Sequence, residues 1–452
     1  MQGMPTYNCK NVIIGAGISG LAASYHLERS ETVILESTDH YAGHVHSEFV
    51  DGFTWDDGPH MSFTVNDYAR EFLADMVDQE FDSMPSVASN YYQGHWISHP
   101  AQVNLFQVPE PLRTTCLESF LATRDDDRSP NNYQDWLDIA FGPVFASTFP
   151  AAYTRKYWTV EPSQLATEWV GNRVMKPSIE QVREGAMNSI GLQSPHYLAG
   201  KDTRYPRKGG FMSYTHKMAR AADLRLNSPV VSVDLSKRVV RVADGTEYRY
   251  ENLVSTMPLR KFVKCIDAAP SVVRDAAERL TATNFLRVDV AVNHPAIRPE
   301  TWVYVYDEDK YSVRISVTEK FGRSNAPKDT TGIQVEVYGS EYRACPADLE
   351  AVKSGVVDEL IEMGMIEGRE HLRYVNCKFV PQGNPIFDHY RKEAMREITA
   401  YLDRNGVHLV GRYAEHKYLM TDACVLSGRR AADRIKGGDG SAFDEVFISS
   451  AG

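Results

Sequence analysis

The chain has 452 residues, with 49 Lys and Arg against 60 Asp and Glu, for a formal net charge of −11. That balance argues against a general affinity for nucleic acid polymers or anionic membranes and leaves room only for a local basic pocket around one phosphorylated ligand. At about 150 residues per domain, the length predicts two or three domains and a sizeable core.

The first informative stretch joins the apolar run Asn11 to Ile14 to a helical segment, Leu21 to Glu28, through Gly15-Ala16-Gly17-Ile18-Ser19-Gly20. A strand, a glycine turn and a helix together receive a dinucleotide pyrophosphate. Gly15 makes the tight turn, Gly17 lets backbone approach the phosphates, and Gly20 lets the helix pack on the strand, with free N–H groups facing the anion. A second apolar run, Thr32 to Leu35, ends in Glu36. This acid stands about twenty residues beyond the glycines, where a carboxylate accepts hydrogen bonds from a ribose.

The segment Ser37 to His46 follows, with Gly43 and His44, and then Trp55-Asp56-Asp57-Gly58-Pro59-His60. His40, His44 and His46 read as loop residues, because no fourth ligand converges on them, and no metal site is expected. Tyr91 to Pro100 reads as a short aromatic strand pair. From Leu112 to about Gln193 the apolar period is near 3.6, which predicts helices, interrupted at Pro130 and Pro143. Trp136, Trp158 and Trp169 are candidates for core or for a pocket lining.

Arg204 to Phe211 leads into a short helix, Ser213 to Ala222. Short strands follow at Val230 to Leu235, Val239 to Val242 and Glu247 to Tyr250, and Leu253 to Ser255 forms another. The two-residue period returns from Leu286 to Tyr338 and predicts a mostly antiparallel second sheet, with Arg314 inside one strand. After a helix at Pro346 to Met363, Val407 to Tyr413 forms a strand and glycine turn at Gly411-Arg412. The turn leads through Tyr418 and Asp422 into a helix, Ala423 to Ile435, whose N-terminus again aims at a ligand. Cys9, Cys116, Cys265, Cys345, Cys377 and Cys424 lie far apart without a C-x-x-C pair, so neither disulfides nor zinc are expected. The absence of a long apolar run predicts a soluble, cytoplasmic protein with no membrane partner.

Taken in order, these motifs resemble the flavin-dependent amine oxidase and protoporphyrinogen oxidase superfamily, and within it the UDP-galactopyranose mutases most. The mutase-like residues are Gly52-Phe53, Trp55 to His60, Trp96 to Pro100, Trp136 with Phe141-Gly142, Tyr153 to Trp158, and Gly171 to Arg173. They continue with Tyr205 to Gly210, Leu253 to Pro258, Trp302 to Arg314 and Gly411 to Tyr418. The chain departs from the family at Ala42-Gly43, in place of paired glycines, and at Asn384, where mutases carry a tyrosine. The stretch Ser427 to Ala432 is similar to amine oxidases as well.

The resemblance implies an α/β fold, with a Rossmann-like FAD-binding domain, a helical insertion and a mostly antiparallel substrate sheet. The expected boundaries are 1–90, 200–285 and 400–436 for the discontinuous FAD domain, 91–199 for the insertion, 286–399 for the substrate sheet and 437–452 for a flexible tail. It further implies FAD ligands at Gly15, Gly17, Ser19, Gly20, Glu36, Gly43, His44, Val231, Gly411, Arg412 and Asp422. It sets His60 beside the flavin, and Arg173, Arg314 and Tyr418 on a nucleotide-sugar diphosphate. The implied reaction is pyranose/furanose isomerisation at N5 of reduced FAD on a nucleotide sugar. The alternative is an oxidase or desaturase of an amine or porphyrinogen-like substrate that uses oxygen. The oligomeric state is left open.

Overall fold

The structure, a computed structural model, describes residues 5–124, 126–188 and 203–439. Two seven-stranded sheets organise it. In the first, Thr6–Ile14 is flanked in parallel by Thr32–Leu35 and Glu247–Ser255, and Val407–Leu409 joins Glu247–Ser255 in the same direction. Val12, Ile13, Ile34 and Val254 are fully buried because helices cover both faces. On one face lie Ile18–Tyr25, Ser213–Ala221 and Thr421–Ile435, around a core that includes Leu21, Met218 and Val425. On the other lie Leu259–Cys265, Ser271–Glu278 and Arg391–Arg404, around Phe262, Ile398 and Leu402.

Glu247–Ser255 is one continuous strand where the sequence suggested two. Its polar interruption is satisfied laterally: Asn252 Nδ2 donates to Asn11 Oδ1 at 3.0 Å, and Asn11 Nδ2 donates to Thr32 Oγ1 at 3.1 Å. A buried amide with partners on both sides costs the strand little.

The second sheet runs in the order Leu372–Val380, Asn284–Val292, Thr331–Gly339, Arg314–Val317, Trp302–Val305, Ala88–Tyr92, His95–Ser98. All pairings are antiparallel except Trp302–Val305 with Ala88–Tyr92. One face carries Val288, Val290, Ile315, Val335 and Val337 and packs with Val352, Val356 and Leu360 of helix Leu349–Glu362. The alternate positions carry Arg287, Asp289, Arg314, Gln334 and Glu336, and these are buried or nearly so, on the face turned toward the first sheet. A buried polar face must be internally paired or face a ligand.

Two expected boundaries move. The hairpin at Ala88–Ser98 is an edge of the second sheet rather than the start of the helical region, because Ala88 to Tyr91 pair with Trp302 to Val305. The expected boundary between residues 399 and 400 cuts helix Arg391–Arg404, which packs as one unit against Ser271–Glu278 below the first sheet, where it buries Ala394, Ile398 and Leu402. The helical layer itself contains Leu112–Ala122, Tyr133–Phe141, Ala152–Tyr157 and Ile179–Met187, with Leu137, Phe141, Phe149 and Trp158 in its core. Trp136 packs against that core, while Trp158 and Trp169 lie within it. The end of the expected helical region and residues 440–452 of the expected tail lie outside the described residues.

Candidate active site

The carboxyl ends of the first sheet's parallel strands open on a cavity of about 320 Å³, and the polar face of the second sheet forms part of its wall. This is where open parallel sheets place their ligands. Gly15, with φ of +99°, donates its N–H to Leu35 O at 2.8 Å, and a side chain there would collide with Thr256. Gly17 caps helix Ile18–Tyr25 with no side-chain hydrogen bond to the helix N–H groups. A Cβ on Gly17 would meet nothing closer than 3.9 Å, at Ala42 O and Gly43 Cα, so this stretch of backbone is bare toward a ligand. Glu36 closes the same end. Its carboxylate accepts from Ala16 N at 2.8 Å and from Thr38 N, Thr38 Oγ1 and Ser37 Oγ, each at 3.0 Å.

A second helix N-terminus enters from the other side. Thr421–Ile435 begins after Met420 without a side-chain cap, and Gly411, Met420 and Thr421 line the cavity. Gly411 is fixed from behind, where its N–H donates to Glu415 Oε1 and Ser427 Oγ, each at 3.1 Å. Two helix N-termini over one cavity, neither closed by its N-cap side chain, favour an anion between them.

The remaining wall is built by histidines, arginines and tyrosines. His60 Nδ1 donates to Gly58 O at 2.7 Å, so the neutral ring presents Nε2 as a lone pair. Burial pushes its pKa down to about 4, and the charges of Arg314 and Arg412 push the same way against the Gly58 hydrogen bond. His44 packs edge-on against His60 with ring centres 5.5 Å apart, and burial followed by His60 holds it well below the ordinary histidine value.

Arg314 forms a two-point ion pair with Glu336, through Nε to Oε2 and through Nη2 to Oε1 at 2.9 Å. Tyr338 Oη donates to the same carboxylate at 3.1 Å. Arg412 donates Nη1 to Leu419 O at 2.9 Å and Nη2 to Asn384 Oδ1, while its buried Nε has no partner among the described residues. The Asn384 side chain thus accepts from Arg412.

Tyr418 lies beneath two guanidiniums, with Arg412 Cζ 4.3 Å and Arg173 Cζ 4.9 Å from its ring centre. Its hydroxyl is 3.2 Å from that of Tyr157. Burial alone pushes the Tyr418 phenol up, but Arg412, the Tyr157 hydrogen bond, Arg314 and Arg173 outweigh it and hold the phenol below its ordinary value. Tyr157 is driven the opposite way, well above that value, by burial and then by Tyr418.

Of the residues expected at the site, Gly15, Gly17, Ser19, Glu36, Gly43, His44, His60, Arg314, Gly411, Arg412 and Tyr418 line this cavity. Four do not, and each has a physical reason. Gly20 serves packing, since a side chain there would strike Gly15 O. Val231 sits at a register shift of the edge strand and is 50% exposed, although Ser228 N nearby donates to Glu36 O at 2.7 Å. The Asp422 carboxylate turns back to accept from Ala423 N at 2.8 Å. Arg173 stands behind Tyr418 and donates to Trp169 O at 2.9 Å and Tyr418 O at 2.8 Å. The sequence reading missed Glu336, Tyr157, Tyr338 and Thr256 as cavity residues.

A bare glycine turn, two uncapped helix N-termini and an orienting carboxylate suit the pyrophosphate and ribose of a dinucleotide, and the adjoining histidine and tyrosine wall suits a flat ring. The fold and cavity therefore suit a dinucleotide. Residues 18–436 match the family model described as flavin containing amine oxidoreductase, and the chain belongs to that family.

Solved structures agree in fold. A reduced UDP-galactopyranose mutase superposes with TM-score 0.90 at 21% identity, over 98% of this chain and 99% of that one. A protein assigned as a protoporphyrinogen oxidase from Exiguobacterium sp. 255-15 gives 0.73 at 17% identity, over 96% and 99%. Putrescine oxidase bound to putrescine gives 0.67 at 14%, over 96% and 100%. Among the described residues, no helix is long and apolar enough to cross a membrane.

Proposed function

We propose that this flavin-dependent enzyme acts on a nucleotide-activated sugar and interconverts its pyranose and furanose forms. The observation that carries the reading is the charge of the cavity wall beyond the glycine turn. Arg314 and Arg412 both line it, and the carboxylate on that part of the wall, Glu336, is engaged by Arg314 and Tyr338. The two histidines there are held neutral by burial. The balance is a net positive wall with a buried Arg412 Nε–H that has no partner among the described residues, which favours a diphosphate and disfavours an ammonium substrate.

The residues of the chain divide the work. Gly15, Gly17 and Glu36 would hold the pyrophosphate and ribose of FAD, and Gly411 with the Thr421 helix end would hold its far side. When bound in its reduced form, FAD supplies a nucleophilic ring nitrogen for the anomeric carbon of the sugar. Arg314 and Arg412 stabilise negative charge as it gathers on the departing diphosphate; their guanidiniums are already fixed by Glu336 and Asn384 and need no reorganisation. Arg173 holds Tyr418 against the same wall.

The test is to reduce the flavin anaerobically and follow its spectrum while titrating UDP and UDP-galactose. Saturable binding, tighter in the reduced state and followed by furanose formation, supports the proposal. Absence of binding, together with rapid reoxidation by air and peroxide release, overturns it in favour of an oxidase.

A further inference from the structure

Tyr157 and Tyr418 reach the cavity from different layers. Tyr157 ends helix Ala152–Tyr157 of the helical region, and Tyr418 belongs to the turn between strand Val407–Leu409 and helix Thr421–Ile435. Their hydroxyls are 3.2 Å apart and both residues line the cavity. The charged groups acting on Tyr418 are all cationic: Arg412 and Arg173 over its ring, and Arg314 across the cavity. Tyr157 packs against neutral aromatics, with ring centres 5.4 Å from Tyr153, 4.6 Å from Tyr338 and 5.2 Å from Trp158. The two phenols are thus unequal by construction. Arg314 and Arg412 act on both phenols, but only Tyr418 lies directly beneath guanidiniums, which favour its anion, whereas burial among aromatic rings outweighs them at Tyr157 and favours its neutral, donating form.

We propose that Tyr157 and Tyr418 form a proton-sharing pair in which Tyr418 is the group that gives and takes back a proton at the sugar hydroxyls. This rests on the nucleotide-sugar reading above. When the pyranose ring opens, the ring oxygen gains an electron pair and must gain a proton. The O–H bond of Tyr418 breaks to supply it, and the phenolate oxygen is held by the Tyr157 hydroxyl while the guanidiniums over the ring favour its negative charge. When the furanose closes, the attacking hydroxyl loses its proton to that phenolate. No net proton or electron is consumed, so the pair needs no further co-reactant. The shift of the Tyr418 phenol below its ordinary value, and of Tyr157 above it, agrees with the geometry.

The first measurement needs no turnover. Ultraviolet difference titration of the flavin-loaded protein, read at the phenolate band, is made on wild type, Tyr418→Phe and Tyr157→Phe. The expected result is one tyrosine that ionises below the ordinary phenol in wild type, is missing from Tyr418→Phe, and titrates higher in Tyr157→Phe. If that phenol is absent from wild type or persists in Tyr418→Phe, the pair is overturned even where UDP binds.

The second measurement is the pH profile with UDP-galactose. Tyr418→Phe should lose roughly 10²-fold or more in kcat, in the range general acid–base catalysis supplies, with a smaller change in KM. Tyr157→Phe should move the basic limb upward. An unchanged kcat in Tyr418→Phe overturns the proton role. If the phenol titrates as expected but neither UDP nor UDP-galactose binds, the substrate reading fails and the proton role falls with it.

Discussion

Arg314 and Glu336 stand directly opposite each other on adjacent antiparallel strands, so their side chains share the cavity face and meet as a two-point ion pair. The Glu336 side chain is 2% exposed and that of Arg314 is 23% exposed. Removing only the arginine leaves a buried carboxylate uncompensated. Arg314→Ala should therefore cost about 3 kcal/mol of stability and, in the protein that still folds, weaken UDP-galactose binding by about 2 kcal/mol. The double variant Arg314→Met with Glu336→Gln should recover most of the stability and none of the affinity. Urea unfolding and UDP titration, done on both, separate the two roles. Undiminished UDP binding in the double variant would remove Arg314 from the diphosphate site.

Gly17 and Gly20 belong to one motif but answer to different neighbours. Gly17 has an ordinary backbone conformation, φ of −70°, and open space where a Cβ would stand. Gly20 would drive a Cβ into Gly15 O. Gly17→Val should fold and lose its flavin, because the valine fills ligand space. Gly20→Ala should be destabilised by overpacking, about 1–3 kcal/mol, whether or not flavin is present. Circular dichroism with the flavin-to-protein absorbance ratio tells these apart, and a Gly17→Val protein that purifies fully yellow would contradict the cradle.

The contrast between the two ends of the site shows what a sequence can disclose. The glycine turn and Glu36 were legible because the interacting groups lie within about twenty-five residues on one strand–helix–strand unit, where spacing fixes geometry. Arg314 was legible only as a charge inside an apolar strand. The matching signal, Gln334 and Glu336 alternating with Ile333, Val335 and Val337, was present in the next strand but has two readings, a solvated face or a polar cavity. Helix Leu349–Glu362 covers the apolar face and leaves the polar one buried, and that decision is made by packing rather than by period. The roles of Arg173 and Arg412 were less accessible still. Arg173 is placed by carbonyls of Trp169 and of Tyr418, the latter 245 residues away. Val231 was read as strand, correctly, but the register shift beside it decides where its side chain points.

His60 gives the site a definite pH signature. Its folded pKa of about 4 lies below the ordinary 6.5, so the unfolded chain binds this proton first as pH falls. The contribution is fully present above pH 6.5 and is lost between 6.5 and about 4. At pH 5 it amounts to about 2 kcal/mol relative to pH 8. Asp289, raised to about 7 chiefly by burial, acts in the opposite sense and gains stability as pH falls through 7. The comparison must therefore be differential. Urea unfolding of wild type and His60→Gln at pH 8 and pH 5 should show the smaller acid loss in the variant, by about 2 kcal/mol. Equal losses would mean that His60 is not buried neutral.

Asn384 ties its own segment to Thr283 and to Arg412 by separate groups. Its Oδ1 accepts from Arg412 Nη2, while its backbone N–H donates to Thr283 Oγ1 at 2.8 Å and its carbonyl accepts from Thr283 N at 2.8 Å. The segment is thus anchored independently of the side chain, and the side chain is left to fix the guanidinium. Asn384→Ala should keep the fold and the flavin, cost about 1–3 kcal/mol because a second Arg412 donor is left unsatisfied, and weaken reduced-state UDP binding as Arg412 loses its fixed direction. Asn384→Asp restores the acceptor but adds a negative charge, so it should recover the stability while binding UDP more weakly still. If Asn384→Asp instead binds UDP more tightly than Asn384→Ala, Arg412 faces away from the diphosphate, and the cationic wall must be assigned to Arg314 alone.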